Sequence, residues 1–144
     1  MGTIINNTAK GQLITLRFMQ DAIAASQTDA QLPVIETGAT TGTTAVTDLS
    51  MPFDGDVVAM SWDLSAAGTA GVFTIGVTVD GTENTTTTQT VGTGTSGYPK
   101  FARGACSFVS GQELGVEITT DGSWDGTTAD LVVTLYVLVD LTGV

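Results

Sequence analysis

The sequence predicts an all-β fold, a single antiparallel β-sandwich, and three observations carry that prediction. From Glu113 to Thr119, apolar Leu114, Val116 and Ile118 alternate with polar residues, which is the two-residue period of a half-buried strand. Asp80-Gly81 lies between two further strand-like segments and is a strong hairpin signal. Thr and Gly are abundant while Lys and Arg together number four. This composition favours strands and tight turns over helices.

From residue 49 onward the pattern is regular enough to divide the chain into strands. The expected strands cover residues 57–64, 72–79, 82–91, 101–109, 113–119 and 131–141. Strands at this spacing, with no alternating helices, indicate a sandwich or a barrel. We expect a jelly-roll-like order, although an immunoglobulin-like order stays open. The Cys and Trp signature of antibody domains is missing, since the chain has one cysteine.

The first part of the chain is ambiguous. Residues 12–18 form an alternating strand with Ile14, Leu16 and Phe18 on one side. However, Leu16, Met19 and Ile23 also fit a helical stripe. We therefore expect residues 1–48 to form an N-terminal arm in which a strand runs into a short helix or helical turn. Residues 49–144 then form the sandwich domain.

The last predicted strand is apolar on both faces. Its even-numbered residues Val132, Tyr136 and Leu138 lie opposite the odd-numbered apolar set. Two packed sheets bury one face of each strand, so the second face needs a separate cover. That cover is either the N-terminal segment or a second subunit, and we favour a subunit contact.

The formal charge of −11 argues against two classes of partner. The four basic residues Lys10, Arg17, Lys100 and Arg103 do not cluster, so we expect no nucleic-acid binding. The acidic balance also disfavours an anionic membrane. The N-terminal residues lack a signal-peptide pattern, so we expect synthesis in the cytoplasm.

Few residues are suited to catalysis, and we expect the protein not to be an enzyme. The chain has no histidine and a single cysteine, Cys106, for which a buried structural thiol is the favoured interpretation. We expect no cofactor and no metal. Acidic turns such as 121–126 leave a Ca²⁺ site open, but Asp-Gly pairs are common in turns for backbone reasons. Glu113 and Glu117 could form a glycosidase pair, although an outward, solvated strand face is the favoured interpretation.

The two tryptophans call for different interpretations. Trp62 alternates with Val58 and Met60 and is expected in the core. Trp124 lies in a polar turn. It either packs over the end of the sandwich, which we favour, or is an exposed recognition residue that stacks on a sugar or a partner protein.

A series of strand and turn segments runs from about Met51 to Leu141. They are Asp56-Val57-Val58-Ala59-Met60-Ser61, the run from Ala70 to Gly81, Phe108 with Gly111 and Gly115-Val116, Thr119-Thr120-Asp121, and Thr128-Ala129-Asp130. In these features, which include no catalytic signature, the chain resembles small jelly-roll proteins of tailed-bacteriophage virions.

The resemblance implies a capsid decoration (cement) protein that forms a homotrimer and binds the major capsid protein on the outer surface of the virion. The alternative is a head or tail fibre knob, or a carbohydrate-binding module, and only then is a glycan a partner. Under the decoration hypothesis the expected subunit or capsid contacts are Ile14, Leu16, Phe18, Val132, Tyr136 and Leu138. Under the alternative, Trp124 and the loop 92–100 carry recognition.

Overall fold

Two antiparallel sheets form the molecule, which confirms the predicted β-sandwich. A computed structural model describes residues 11–34 and 45–141, and within those residues it contains eleven strands and no helix. The strands are β1 (Gln12–Gln20), β2 (Ala30–Gln31), β3 (Asp48–Ser50), β4 (Gly55–Leu64), β5 (Phe73–Val79), β6 (Thr82–Glu83), β7 (Gln89–Val91), β8 (Ser96–Gly97), β9 (Ser107–Phe108), β10 (Glu113–Thr120) and β11 (Leu131–Val139).

The two sheets, here named A and B, divide these strands between them. Sheet A has the order β1-β11-β4-β8, with β9 also paired to β4. Sheet B has the order β2-β10-β5-β6, with β3 also paired to β10 and β7 to β5. The two longest ladders in sheet A join β11 to β1 and to β4.

The core lies between the sheets, and the last strand shows the alternation that the sequence predicts. In β11 the odd-numbered residues from Leu131 to Val139 are buried and the even-numbered ones are half-buried. Phe18, Met60 and Phe73 are among the large side chains that are completely buried. Burial of each such side chain contributes roughly 1.5–3 kcal/mol, so this interface supplies most of the stabilisation.

The predicted hairpin at Asp80-Gly81 is confirmed. Strands β5 and β6 pair with Val79 opposite Thr82, which leaves a two-residue turn. Asp80 and Gly81 have φ values of 50° and 71°. Positive φ at both central residues is the type I′ geometry that matches the twist of the flanking strands.

The short helix expected after β1 is absent, and that expectation was wrong. Residues 21–29 form an irregular connection in which Ala22 and Ser26 have positive φ. Backbone groups of this connection bond to distant loops and not to one another. The Ile23 N–H donates to the Ala129 carbonyl, and the Ser26 N–H donates to the Asp121 carbonyl. Because Ile23 is completely buried, tertiary contacts override the weak helical pattern.

The described part of the predicted N-terminal arm belongs to both sheets. Strand β1 pairs with β11 over nine residues, from Gln12 opposite Val139 to Gln20 opposite Leu131. Strands β2 and β3 pair with β10 in sheet B, and β3 crosses the boundary expected at residue 48. The expectations for residues 1–10 and 35–44 lie outside the described residues.

Two predicted strands are shorter than expected because a turn interrupts each of them. Between β6 and β7 the Thr87 hydroxyl accepts from the Val77 N–H and donates to the Asn84 carbonyl. The predicted strand 101–109 contains a turn in which the Ala105 N–H donates to the Ala102 carbonyl. Only β9 remains of it as a strand.

Candidate docking surface

The outer face of sheet A carries the second apolar face predicted for the last strand. Val132, Tyr136 and Leu138 are half-buried and point away from the core. Across β1 their partners are Met19, Thr15 and Leu13, and Leu13 is 56% exposed. Because β1 lies beside β11 and not over it, the residues of β1 do not cover this face. The contact role predicted for Val132, Tyr136 and Leu138 stays a prediction.

The other three predicted contact residues point inward. The register places Ile14, Leu16 and Phe18 opposite Val137, Leu135 and Val133, which all face the core. Phe18 is 0% exposed, so its predicted role in contacting another subunit is wrong. Ile14 and Leu16 are half-buried and pack on the core from the open edge of the sheet. For these two the contact role stays a prediction.

A cleft on the outer face of sheet A is lined by two tyrosines and a lysine. It has a volume of about 270 Å³, and its walls include Tyr98, Tyr136, Lys100, Ala59 and Ser61. Tyr98 is 82% exposed. Ala59 lies between Lys100 and Tyr136, since it forms an antiparallel bridge with Lys100 on one side and pairs with Tyr136 on the other. This cleft combines an apolar wall with a positive rim.

Sequence reasoning named Tyr136 and the loop 92–100 separately, and it missed that Tyr98, Lys100 and Tyr136 line one cleft. The loop 92–100 was expected to carry recognition under the alternative function, but the aromatic residue assigned to that role was Trp124. Tyr98 and Tyr136 are far apart in the sequence. They line the same cleft because β8, which ends just before Tyr98, pairs with one side of β4, and β11, which contains Tyr136, pairs with the other side. A signal was available in Tyr98, an aromatic residue within a segment otherwise rich in Gly and Thr.

Trp124 is buried, so the exposed alternative for this residue is wrong and the favoured packing interpretation is confirmed. The indole is 4% exposed and its ring centroid lies 5.1 Å from that of Phe73, with the rings tilted by 58°. A Cβ added at Gly68 or Gly126 would clash with the indole ring. The two glycines therefore form the slot that holds Trp124 over the end of the core.

The acidic turns bind backbone groups of the same chain. Asp125 accepts hydrogen bonds from the N–H groups of Thr69 and Ala70 and from the Thr69 hydroxyl, which lowers the pKa of its carboxyl. Asp80 accepts from the Glu113 N–H in the same way. Within residues 11–34 and 45–141 no group of three or more acidic, Cys or His residues is arranged to hold a metal ion. The turns are thus held by their own carboxylates.

Glu117 differs from the expectation of a solvated strand face. It points to the outer side of sheet B but is 7% exposed, and its carboxyl accepts from the Gln31 side-chain amide. Burial raises the pKa of this carboxyl, and the charges of Glu83 and Asp29 raise it further. The neighbouring strand contributes Gly76 opposite Glu117, and the Glu83 side chain folds over that glycine. Edge carboxylates therefore cover the middle of sheet B.

Cys106 is a structural thiol, as predicted. It is completely buried, and burial together with the nearby charge of Asp56 raises its pKa to about 11. A thiol in this state is protonated at neutral pH and is a weak nucleophile.

The described cationic side chains lie on the sheet A side of the molecule. Arg17 points outward from β1, Lys100 lines the cleft, and Arg103 forms an ion pair with Asp56 at 3.7 Å. Within the described residues, neither Arg17 nor Lys100 is held in an ion pair. On this face the cations are accompanied by Asp63 and Asp56, the β4 partners of Val132 and Leu138, so the surface is apolar with charges of both signs around it.

Comparisons with known proteins do not assign the chain to a family. No protein-family model matches it, and no curated protein is significantly similar to it. In the described part of the chain there is no helix of the length and apolarity that a membrane span needs. The proposal for function therefore rests on the surface of the protein.

Proposed function

We propose that this protein is a structural virion protein, a capsid decoration protein that binds the outer surface of a phage shell as an oligomer and stabilises it. The observation that carries the proposal is the outer face of sheet A, where Val132, Tyr136 and Leu138 point away from the core and are only half-buried by the described residues. Exposed apolar patches of this kind mark interaction sites. Localisation on the virion and binding to the major capsid protein are part of the proposal.

The strand order supports this proposal through the jelly-roll architecture that the resemblance implies. The short strands β2 and β3 share one edge of β10, β6 and β7 share one edge of β5, and β8 and β9 share one edge of β4. Counted as one strand per edge, each sheet has four strands. An eight-stranded double sheet built from two Greek keys is a jelly roll.

The proposed mechanism is binding energy alone. A partner that binds only the closed shell stabilises it by mass action, and area buried across neighbouring capsid subunits raises the barrier to opening. The side chains that could otherwise take part in catalysis already have structural roles within the chain. Asp125 and Asp80 accept hydrogen bonds from backbone N–H groups, Cys106 is a buried protonated thiol, and Glu117 is buried and accepts a hydrogen bond from Gln31. These assignments support a binding protein over a hydrolase.

The direct test is quantitative mass spectrometry of purified virions of the phage whose genome encodes the chain. A copy number comparable with that of the major capsid protein supports decoration. A few copies per particle supports a fibre, and absence from the particle rejects both.

The docking face is tested by Tyr136→Asp, which places a carboxylate in the middle of that face. Sedimentation with expanded empty shells should show loss of binding by this variant. Thr90→Asp is the matched control, since Thr90 is an exposed strand residue of sheet B. It should bind shells as the wild type does, and equal binding by both variants would contradict the assignment.

A fibre knob or carbohydrate-binding module stays the second candidate because of one observation. Tyr98 is exposed at the rim of the cleft that Tyr136 and Lys100 line, and an aromatic ring in that position is suited to stacking on a sugar. Glycan-array binding that is lost in Tyr98→Ala would favour this candidate, whereas decoration predicts no glycan affinity.

A further inference from the structure

The edges of the two sheets differ in length. Strand β1 is the outermost strand of sheet A and has nine residues. The other outer strands of the described sheets, β2, β3, β6, β7, β8 and β9, have two or three residues each. Native proteins shorten their edge strands because a row of unpaired backbone groups binds other strands. Among the outer strands of the described sheets, β1 alone is long.

The hydrogen bonds identify which backbone groups of β1 are available. The Met19 N–H donates to the Pro33 carbonyl at 2.8 Å, so Met19 points its backbone groups away from β11. In an antiparallel ladder this orientation recurs at every second residue. The N–H and C=O groups of Leu13, Thr15 and Arg17 therefore point to the open edge. No described residue outside the ladder bonds to them, and Pro33 closes the edge beyond Arg17.

The side chains around this edge are suited to a contact. Ile14 and Leu16 point to the core side yet remain half-buried, because nothing described lies beyond the edge. Leu13 is more than half exposed on the other side. The chain has fifteen acidic residues, but none lies between Gly11 and Gln20. The edge is therefore a place where two copies of an acidic protein can approach without facing carboxylates.

We propose that two copies of this chain pair through β1, antiparallel, about a two-fold axis at Thr15. In this register Thr15 lies opposite the partner's Thr15, and Leu13 lies opposite the partner's Arg17. All backbone groups of Leu13, Thr15 and Arg17 are then paired across the axis. Sheet A continues from one copy into the other.

Side-chain pairing supports this register over its neighbours. Ile14 meets the partner's Leu16 on the core side, which covers the two half-buried residues, and a Thr–Thr pair on a strand pair is favourable. An axis at Arg17 would place two like charges opposite each other and would require the Met19 N–H that already bonds to Pro33. The contact is isologous, since each copy contributes the same residues.

This contact stands independently of the proposed function. It gives the oligomer two-fold symmetry in place of the trimer that the resemblance implies. It also leaves the outer face of sheet A free, so Tyr136→Asp should not change the oligomeric state.

The first test compares the wild type with Thr15→Pro by sedimentation velocity over a range of concentrations. Proline removes an N–H that β11 does not use, and edge positions of this kind tolerate it. We expect a dimer for the wild type, a monomer for Thr15→Pro, and a dimer for the control Thr15→Val, which keeps the N–H. A wild-type monomer or trimer overturns the proposal.

The second test determines the pairing register of the two β1 strands with side-chain substitutions alone. Leu13→Glu places a carboxylate opposite the partner's Arg17, whereas Leu13→Lys places an ammonium there. Because the dimer contains two such pairs, the dissociation constants of the two variants should differ by at least about tenfold, with Leu13→Glu the tighter. Leu13 is exposed in the single chain, so both variants should have similar melting temperatures at concentrations where each is a monomer. Equal dissociation constants overturn the register.

Hydrogen exchange separates edge pairing from a dimer formed elsewhere. The amides of Leu13, Thr15 and Arg17 should exchange slowly in the dimer and rapidly after dilution to the monomer. Rapid exchange in a stable dimer would place the contact on another surface. Slow exchange at every concentration would mean that residues of the same chain cover the edge, and either result rejects the proposal.

Discussion

The outer faces of the two sheets differ in the side chains that cover them. On sheet A the outward side chains of β11 are mostly apolar and half-buried, and the cations Arg17 and Lys100 lie beside them without ion pairs to described residues. On sheet B the outward side of β10 is polar, and Glu83 and Asp48 reach from the edges over Gly76 and Gly115. Sheet B is covered by its own side chains. Within residues 11–34 and 45–141 sheet A lacks such a cover, which is why the docking proposal is placed there.

The largest expected effect comes from disturbing the cover of sheet B. A Cβ at Gly115 would clash with Asp48 Oδ1 and would lie 2.6 Å from Thr78 Oγ1. Gly115→Ala must therefore push the polar side chains off the sheet, and crowding of this kind costs roughly 1–3 kcal/mol. Chemical denaturation should show that loss in the free energy of unfolding.

The matched control for Gly115→Ala lies on the outer face of sheet A. Ser61 is half-buried on β4 and faces Thr134 across the ladder. Ser61→Ala should change stability by no more than about 0.5 kcal/mol, because nothing is displaced. If the two variants behave alike, the side chains over Gly115 are not an ordered cover and the contrast between the faces fails.

A smaller effect of opposite sign is expected from Glu117→Gln. Burial, followed by the charges of Glu83 and Asp29, raises the pKa of Glu117 above its ordinary value. The folded state then binds more protons than the unfolded state, so stability falls as the pH rises from the ordinary glutamate pKa of about 4.3 through the folded pKa. At neutral pH the Gln variant should be more stable than the wild type, and Gln31 can still donate to it.

The pH dependence gives the measurement and the control for Glu117→Gln. Denaturation at a series of pH values should show the advantage of the variant shrinking as the pH falls from the raised folded pKa toward the ordinary glutamate value of about 4.3, and absent below it. Glu113 lies on the same face of β10 but is exposed, and Glu113→Gln should show no such gain. A Glu117→Gln variant that is less stable at neutral pH would mean that the charged carboxylate is needed in the network.

The parts of the fold that were predicted depend on local patterns. The alternation in β10 and β11 and the Asp80-Gly81 turn follow from residues that are adjacent in the sequence. The burial of Glu117 depends instead on Glu83 and Gln31, which come from other strands. A pattern of period two could place Glu117 on the outer face, but it could not show that this face is covered.

Glycines were the missed signal for that cover. Gly76 and Gly115 interrupt strands that otherwise carry β-branched and apolar residues. A glycine inside a strand often marks a close approach by another group. The same reasoning applies to Trp124, since the indole lies against Gly68 and Gly126 and is buried in a turn that reads as polar.

The smallest expected effect on stability is that of Tyr98→Ala on the sheet A side. Tyr98 is largely exposed, so the free energy of unfolding should change by no more than about 0.5 kcal/mol. If the cleft is part of the docking face, shell binding should nevertheless weaken, because an exposed tyrosine at the rim offers a large apolar surface to a partner. Binding isotherms and denaturation curves on the same preparation separate the two effects. A loss of stability without a loss of binding would show that Tyr98 protects the sheet, and sheet A would then have a cover of its own, as sheet B does.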